Sequence, residues 1–387
     1  MNKRLIRLCA GVGLLAVLAS GCQSADTLEG QRRTWERNPE QPVTFAVAGR
    51  IPFLTTNTDF MDGALLALEE INAAGGVAGR TLELAPYDDE ASVMKGTIIA
   101  QELSNNRSLS AVIGHTSTHV TIPVSTIYED AGMLMISPIV SNSRLTQRGY
   151  GNIFQNIPGD DDIGREMAMY AHKQGLERIV IYYADNEYGR GLANAFEAAA
   201  DDLNLQVVDR ATRFHEDTHF RRALQKWQAM DYEAVFVADS MLTGKEFLFR
   251  LQEAGESPAI LADAGMDVDF IHTFGEYGEG AVLASLANME TGGARMNQFL
   301  ETFQQVHGKA PDEWAVQGYE TIHILAEAVN RAQSPAPADV AEALRMITWE
   351  GLTGNIHFDS TGRVAGKHIY QKRVVNGRFV YELLDSE

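Results

Sequence analysis

The chain has 387 residues, 45% of them hydrophobic, a formal net charge of −20 at pH 7 and two cysteines. That length and composition suffice for one or two packed cores. The acidity argues against nucleic acid or an anionic membrane surface as a partner and is read as solvated helix faces. With cysteine confined to Cys9 and Cys22, no disulfide and no thiol chemistry are available beyond the N-terminus.

Residues 1–22 read as a targeting segment. Lys3, Arg4 and Arg7 make a basic start, and Leu8 to Leu18 is an apolar run too short to cross a bilayer. Leu18-Ala19-Ser20-Gly21-Cys22 then places small residues before a cysteine, the pattern of a lipoprotein signal. The Cys22 thiol would carry a lipid, and two or more acyl chains anchor stably where one does not. The alternative is an ordinary secretory signal cleaved near Cys22. Residues 23–42 are polar and charged and read as a tether.

From Val43 onward, short apolar strands alternate with amphipathic helices. Strands are expected at 44–47, 81–85, 110–113, 179–182, 206–208 and 234–237. Helices are expected at 63–73, 93–104, 164–173, 192–203, 220–230, 243–254 and 317–331. This alternation implies doubly wound parallel sheets in an α/β fold. Ser334-Pro335-Ala336-Pro337 reads as a turn between two helices.

Chemistry concentrates between Ala111 and Pro138. A buried-strand run ends at Gly114 and is followed by Thr116, Ser117, Thr118 and Thr121, then by a helix pattern from Ile122 to Asp130. A second apolar strand, from Met133 to Ile136, ends in Ser137, Pro138 and Ser141. A hydroxyl-rich turn at a helix N-terminus offers free N–H groups and the positive dipole end to a carboxylate. Two such turns would share the carboxyl edge of a parallel sheet, where ligands of open α/β sheets bind.

Several segments, in order, resemble the periplasmic solute-binding proteins of branched-chain amino acid ABC transporters. They are EEINAAGGVAGR (Glu69 to Arg80), YDDE (Tyr87 to Glu90), VIGH (Val112 to His115), IYEDAGMLMISP (Ile127 to Pro138), LTQRGY (Leu145 to Tyr150), NEYGRG (Asn186 to Gly191) and YGEG (Tyr277 to Gly280). The resemblance runs from about Val43 to the C-terminus. It implies the type I binding-protein fold, with two lobes joined by a three-crossing hinge. The first lobe would hold 43–158 plus 287–365, and the second 159–286 plus 366–387. It further implies a non-enzymatic monomeric receptor, without cofactor, that takes an amino acid or similar small polar ligand. The receptor would be held to a membrane by Cys22 in the periplasm or cell envelope and would deliver to an ABC permease and ATPase. The family's common first-lobe disulfide falls on Ala91 and Ser117 here, so both partners are missing together.

Carried over residue by residue, the carboxylate-binding hydroxyls fall on Thr118 and Ser141. The carbonyl receiving the ammonium falls on Ile139, and its acidic partner on Asp263, where the family has glutamate. Aromatic wall positions remain aromatic at Tyr188 and Trp314. Others become Thr56 and Ser240, and Thr116 replaces an apolar residue. Because unpaired buried hydroxyls cost ~1–3 kcal/mol each, the wall is expected to be wetter than a leucine site and to disfavour leucine; the alternative is an apolar wall through Phe53, Leu54 or Met241. A sensory receptor of the same fold, signalling rather than feeding a permease, is the second functional class.

Two metal-like spacings compete with this reading. His215-Glu216-Asp217-Thr218-His219 matches the H-E-x-x-H zinc-protease string, but lies where a strand gives way to a helix, with Asp217 and Thr218 expected as caps. His115 and His119 are also four apart, across a loop. Neither is taken as a metal site. Gly189 and Gly191 lack the third glycine of a dinucleotide fingerprint and are expected to let backbone approach the cleft.

Overall fold

The computed structural model describes residues 30 and 32–382. The targeting segment and Cys22 lie outside the described residues. Strands β1 (Val43–Gly49), β2 (Leu82–Asp88), β3 (Leu109–Gly114), β4 (Met135–Ser137) and β5 (Ile153–Gln155) form a parallel sheet in the order β2-β1-β3-β4-β5. Every residue of β3 is buried, as a parallel strand covered on both faces requires. A second sheet carries β6 (Arg178–Tyr183), β7 (Gln206–Ala211), β8 (Ala234–Ala238), β9 (Ala259–Ala262) and β10 (Val282–Ser285) in parallel. A small antiparallel sheet of β11 (Thr348–Glu350), β12 (Asn355–Phe358) and β13 (Val364–Ala365) follows in the chain. Antiparallel β14 (Tyr370–Val375) and β15 (Arg378–Glu382) then extend one edge of the second sheet.

Both large sheets are doubly wound, as the alternation of strand and helix predicts. Most helices start three to five residues before their apolar periodicity does. They open at Phe60, Thr118, Asp160, Glu187, Asp217 and Glu313. After β10 the chain returns to the first sheet, where Val340, Leu344 and Ile347 join Phe45, Val47 and Ile113 in one core. The body on the first sheet is called here the first lobe, and that on the second sheet the second lobe. The chain passes between them three times: between β5 and the helix Asp160–Lys173, just after β10, and between β13 and β14.

One helix gathers all three passages. Glu313–Ala332 buries a polar stripe made of Glu313, Gln317, Glu320 and Thr321. Glu313 accepts the Ser285 hydroxyl at 2.8 Å and the Leu286 N–H at 2.9 Å. Asn156 donates to Thr321 Oγ1 at 3.2 Å. Lys367 Nζ reaches Gln317 Oε1 at 2.9 Å, the Asn156 carbonyl at 3.0 Å and Glu320 Oε2 at 3.0 Å. Glu320 also accepts from Thr353 N and Oγ1 at 2.8 and 2.7 Å. Burial holds the Lys367 ammonium below its ordinary pKa, partly offset by Glu320.

The segment expected to be a free tether is docked along its described part. Residues 32–37 are helical and Trp35 is 2% exposed. The Arg80 guanidinium lies 5.4 Å from the Trp35 ring centre and donates to the carbonyls of Trp35, Asn38 and Gln41. Arg32 pairs with Asp339 on the first lobe. The polar composition of 23–42 concealed one aromatic anchor with a cation to cover it.

Breaking a buried ion pair from one side leaves the other charge unpaired, at a cost of about 3–5 kcal/mol. Lys367→Met is therefore expected to lower the urea-unfolding free energy by about that amount. Pairing it with Glu320→Gln should recover a large part of the loss, because no naked carboxylate remains. Equal losses in the single and double variants would contradict this account of the stripe.

Candidate functional site

The ends of four helices converge on a cavity of about 230 Å³ between the lobes. Ser117 N-caps Thr118–Ala131, Asn186 N-caps Glu187–Asp202, Ser240 N-caps Met241–Glu253, and Trp314 sits in the first turn of Glu313–Ala332. Backbone N–H groups and dipole ends thus face one space from both lobes. The volume falls below the ~300–1,000 Å³ of drug-sized pockets and suits a small metabolite.

Thr116, Thr118, Ile139, Ser141, Tyr188, Ser240, Asp263 and Trp314 all line this cavity. Thr56 does not. It is exposed in the irregular turn Phe53–Asn57, and Phe53 lines the cavity instead, edge-on to Trp314 at 6.0 Å between ring centres. Turn geometry, which no periodicity encodes, decides which residue of that loop faces inward. Val140, Ile157, Ile163, Val268 and Leu286 also line the cavity, so its walls are largely apolar.

The expected wetness of the wall is corrected accordingly. Thr116 Oγ1 already accepts the Arg50 N–H at 2.9 Å, and Thr56 points elsewhere. Ser117 lines the cavity as part of the hydroxyl-rich turn, and Asn186 and Gly265, which the sequence did not assign to the site, line it too. Ser117 and Asn186 sit inside motifs that had been singled out, whereas the lining isoleucines carry no sequence mark that separates them from core.

Asp263 is 3% exposed at the end of β9. Its Oδ2 accepts the Tyr188 hydroxyl, while Oδ1 has no hydrogen-bond partner among the described residues. Tyr188 thus uses its hydroxyl on the acid as well as offering its ring to the cavity. Burial raises the Asp263 carboxyl well above its ordinary pKa; the Gly265 N–H opposes this, and the charges of Asp160 and Glu313 add to it. A carboxyl so placed calls for a cation. Among the described residues no lysine or arginine lines the cavity to supply one.

Ser141 is 4% exposed, and its hydroxyl donates to Asp160 Oδ1 at 2.6 Å. Asn142 Nδ2 donates to Asp160 Oδ2 at 3.0 Å. Asp160 opens a run of three acids at a helix N-terminus, each engaged by the first lobe. Asp161 accepts from Ser143 at 2.6 Å and from Arg363 at 2.7 Å, and Arg363 also pairs with Asp162.

The metal-like strings have other employment. His115 is fully buried, with Nδ1 at 2.6 Å from Asp89 and Nε2 at 3.0 Å from the Tyr128 hydroxyl. His119 Nε2 lies 2.9 Å from the Ala91 carbonyl and joins the two loops whose disulfide positions are Ala91 and Ser117. Glu216, not Asp217 or Thr218, is the N-cap of Asp217–Ala229, so His215 stands before the helix rather than on one face with His219. Among the described residues no cluster of three metal-ligating side chains occurs.

The sequence profile of the periplasmic binding protein family matches residues 52–378, and the chain belongs to that family. Its fold is the type I binding-protein fold, and it is a binding protein rather than an enzyme. It is 27% identical over 365 residues to the leucine-, isoleucine-, valine-, threonine- and alanine-binding protein of Pseudomonas aeruginosa, covering 93% of each chain. It is 28% identical over 332 residues to the Leu/Ile/Val-binding protein of Escherichia coli, covering 84% of this chain and 89% of that one. An ABC transporter substrate-binding protein of Desulfitobacterium hafniense, solved in complex with Leu, superposes with a TM-score of 0.81 at 37% identity. That match covers 88% of this chain and all of the other.

The buried carboxyl of Asp160 gives a titration with a definite sign. Burial pushes it up to about 7 from 3.8, with Asp161 adding, and Ser141, Asn142 and Arg363 opposing. Between about pH 4 and pH 7 the folded chain keeps a proton that the unfolded chain has released. The stability from this group is therefore full below about pH 4 and is lost as pH rises through 7. Asp312, also pushed up to about 7, titrates in the same window in both proteins and cancels in a comparison. Asp160→Asn should show a shallower fall in unfolding free energy between about pH 5 and pH 7.5, by up to ~1.4 kcal/mol per pH unit. Identical slopes would mean that Asp160 stays ionised throughout that range.

Proposed function

We propose that this protein is the solute receptor of an ABC importer and holds an α-amino acid with a small apolar side chain, of the leucine class, between its lobes. The observation that carries this is the polarity of the cavity. A buried carboxyl with an unmet oxygen, Asp263, lies on the second lobe. Across from it stands the hydroxyl-bearing helix start of Ser117 and Thr118 on the first. The ligand's ammonium goes to Asp263 and the Ile139 carbonyl. Its carboxylate goes to Thr118 and the free N–H groups of that helix start. Its side chain meets Phe53, Trp314 and the lining isoleucines. The ligands in the names of the relatives support the same class. Leucine thus replaces the polar ligand expected from a wet wall.

Calorimetry across leucine, isoleucine, valine, threonine, alanine and glutamate tests this. The branched aliphatic acids should bind and glutamate should not, because its second carboxylate finds no lysine or arginine among the described lining residues. Asp263→Ala should weaken leucine by about 2–5 kcal/mol with an unchanged circular dichroism spectrum. Glutamate binding more tightly than leucine, or Asp263→Ala binding leucine as well as the parent, would refute the assignment.

We further propose that Cys22 is lipidated and holds the receptor at a membrane of the cell envelope. The small-residue run before it and the apolar segment upstream support this. Mass spectrometry of membrane extracts should find Cys22 acylated, and Cys22→Ser should release the protein from the membrane fraction. An unmodified Cys22 in that fraction would count against the anchor.

A further inference from the structure

Behind the cavity the two lobes meet along a seam with its own chemistry. The Ser141 hydroxyl carries a single proton, which goes to Asp160 Oδ1 at 2.6 Å. Toward the cavity it has only lone pairs to offer. The neighbouring Asn142 gives its amide to Asp160 Oδ2 at 3.0 Å and to the Glu187 carbonyl at 3.4 Å. Arg144 completes the seam with a rim ion pair to Glu187 at 3.6 Å. First-lobe residues 141–144 are thus held by the starts of two second-lobe helices.

The second of these helices, Glu187–Asp202, crosses the seam at Gly191. A Cβ there would stand 2.5 Å from both Asn142 Nδ2 and Asp160 Oδ2. Gly191 is not among the glycines with positive φ, so its backbone does not need glycine. Inside a helix glycine is disfavoured relative to alanine. The chain therefore keeps a poor helix former at this position for space alone, and that space is occupied by the Asn142–Asp160 contact.

We propose that Asp160, Asn142 and Gly191 form the latch that closes the two lobes over the ligand. Asp160 grips Ser141 and Asn142 across the seam, and Gly191 leaves room for them. This rests on the cavity being the ligand site. It also changes the role of Ser141, which becomes part of the latch and an acceptor toward the ligand. The ligand's carboxylate is left to Thr118 and its helix N-terminus. Asp160 and Gly191 are positioning residues: they set the population of the closed form, and apparent affinity scales with that population.

The test measures leucine binding and ligand-free stability together, on the full chain. Gly191→Ala should lower leucine affinity roughly tenfold or more, while the ligand-free melting temperature holds or rises, since alanine favours the helix. Asp160→Asn keeps the size but sets a donor against the Asn142 amide, and should likewise lower leucine affinity at neutral pH. Small-angle scattering should find that wild type compacts on adding leucine and Gly191→Ala does not. Wild-type leucine affinity in Gly191→Ala would overturn the latch. So would a ligand-free melting temperature that falls in step with affinity in Gly191→Ala, because the residue would then be packing only. If wild type binds no amino acid, the ligand reading fails. The latch is then decided by ligand-free scattering, which supports it if wild type is more compact than Gly191→Ala and overturns it if the two are equal.

Discussion

The buried polar stripe on Glu313–Ala332 is the constraint on which the two-lobed arrangement depends. Polar groups of the three passages are buried and require partners. Glu313 satisfies the passage after β10, Thr321 and Lys367 satisfy the one after β5, and Gln317 with Glu320 holds the one before β14. A stripe with spacings of four, three and one residues lies on one helical face. Buried ions are a costly way to join segments, and apolar groups of the same shape would give equal stability. Their use here gives fixed directions: each passage meets a donor or acceptor that only one register satisfies.

The same helix begins at the cavity. Trp314 lies one residue from Glu313, so the wall that touches the ligand and the bonds that hold the passages move as one body. The cavity is also electrostatically unfinished. Burial pushes all three carboxyls of Asp160, Asp263 and Glu313 upward, and Asp263 is raised further by the charges of the other two. An arriving ammonium relieves that strain at Asp263, where the second oxygen has no other partner. Attraction of this kind acts only after water has been displaced, which ties recognition to enclosure.

The sheets and helices were legible because buried parallel strands and amphipathic helices leave strong periodic signals. The first turns of the helices were not. At Asp160, Glu187 and Glu313 the opening residues are polar because they face the seam, the cavity or the passages, so the apolar period begins only a turn later. The part of each helix nearest function is therefore the part that periodicity hides. Asp263, Thr118 and Tyr188 could be placed because the family resemblance carries over to them residue by residue, and all three line the cavity. Thr56 could not, because the irregular turn Phe53–Asn57 puts its first residue inward. Asp160 was visible as one of three successive acids but not as a partner of Ser141, a contact made across 19 residues and two lobes.

Trp35, covered by Arg80 and flanked by the Arg32–Asp339 pair, has a mechanical consequence. It fastens the start of the described chain to the first lobe, whereas β15 at the other end belongs to the second sheet. The two termini are therefore handles on opposite halves of a hinged body. With the anchor proposed at Cys22, the first lobe would be the stationary frame and the second would swing as the door. A load or label at the C-terminal end rides on the moving half, where it reports each closure and resists it.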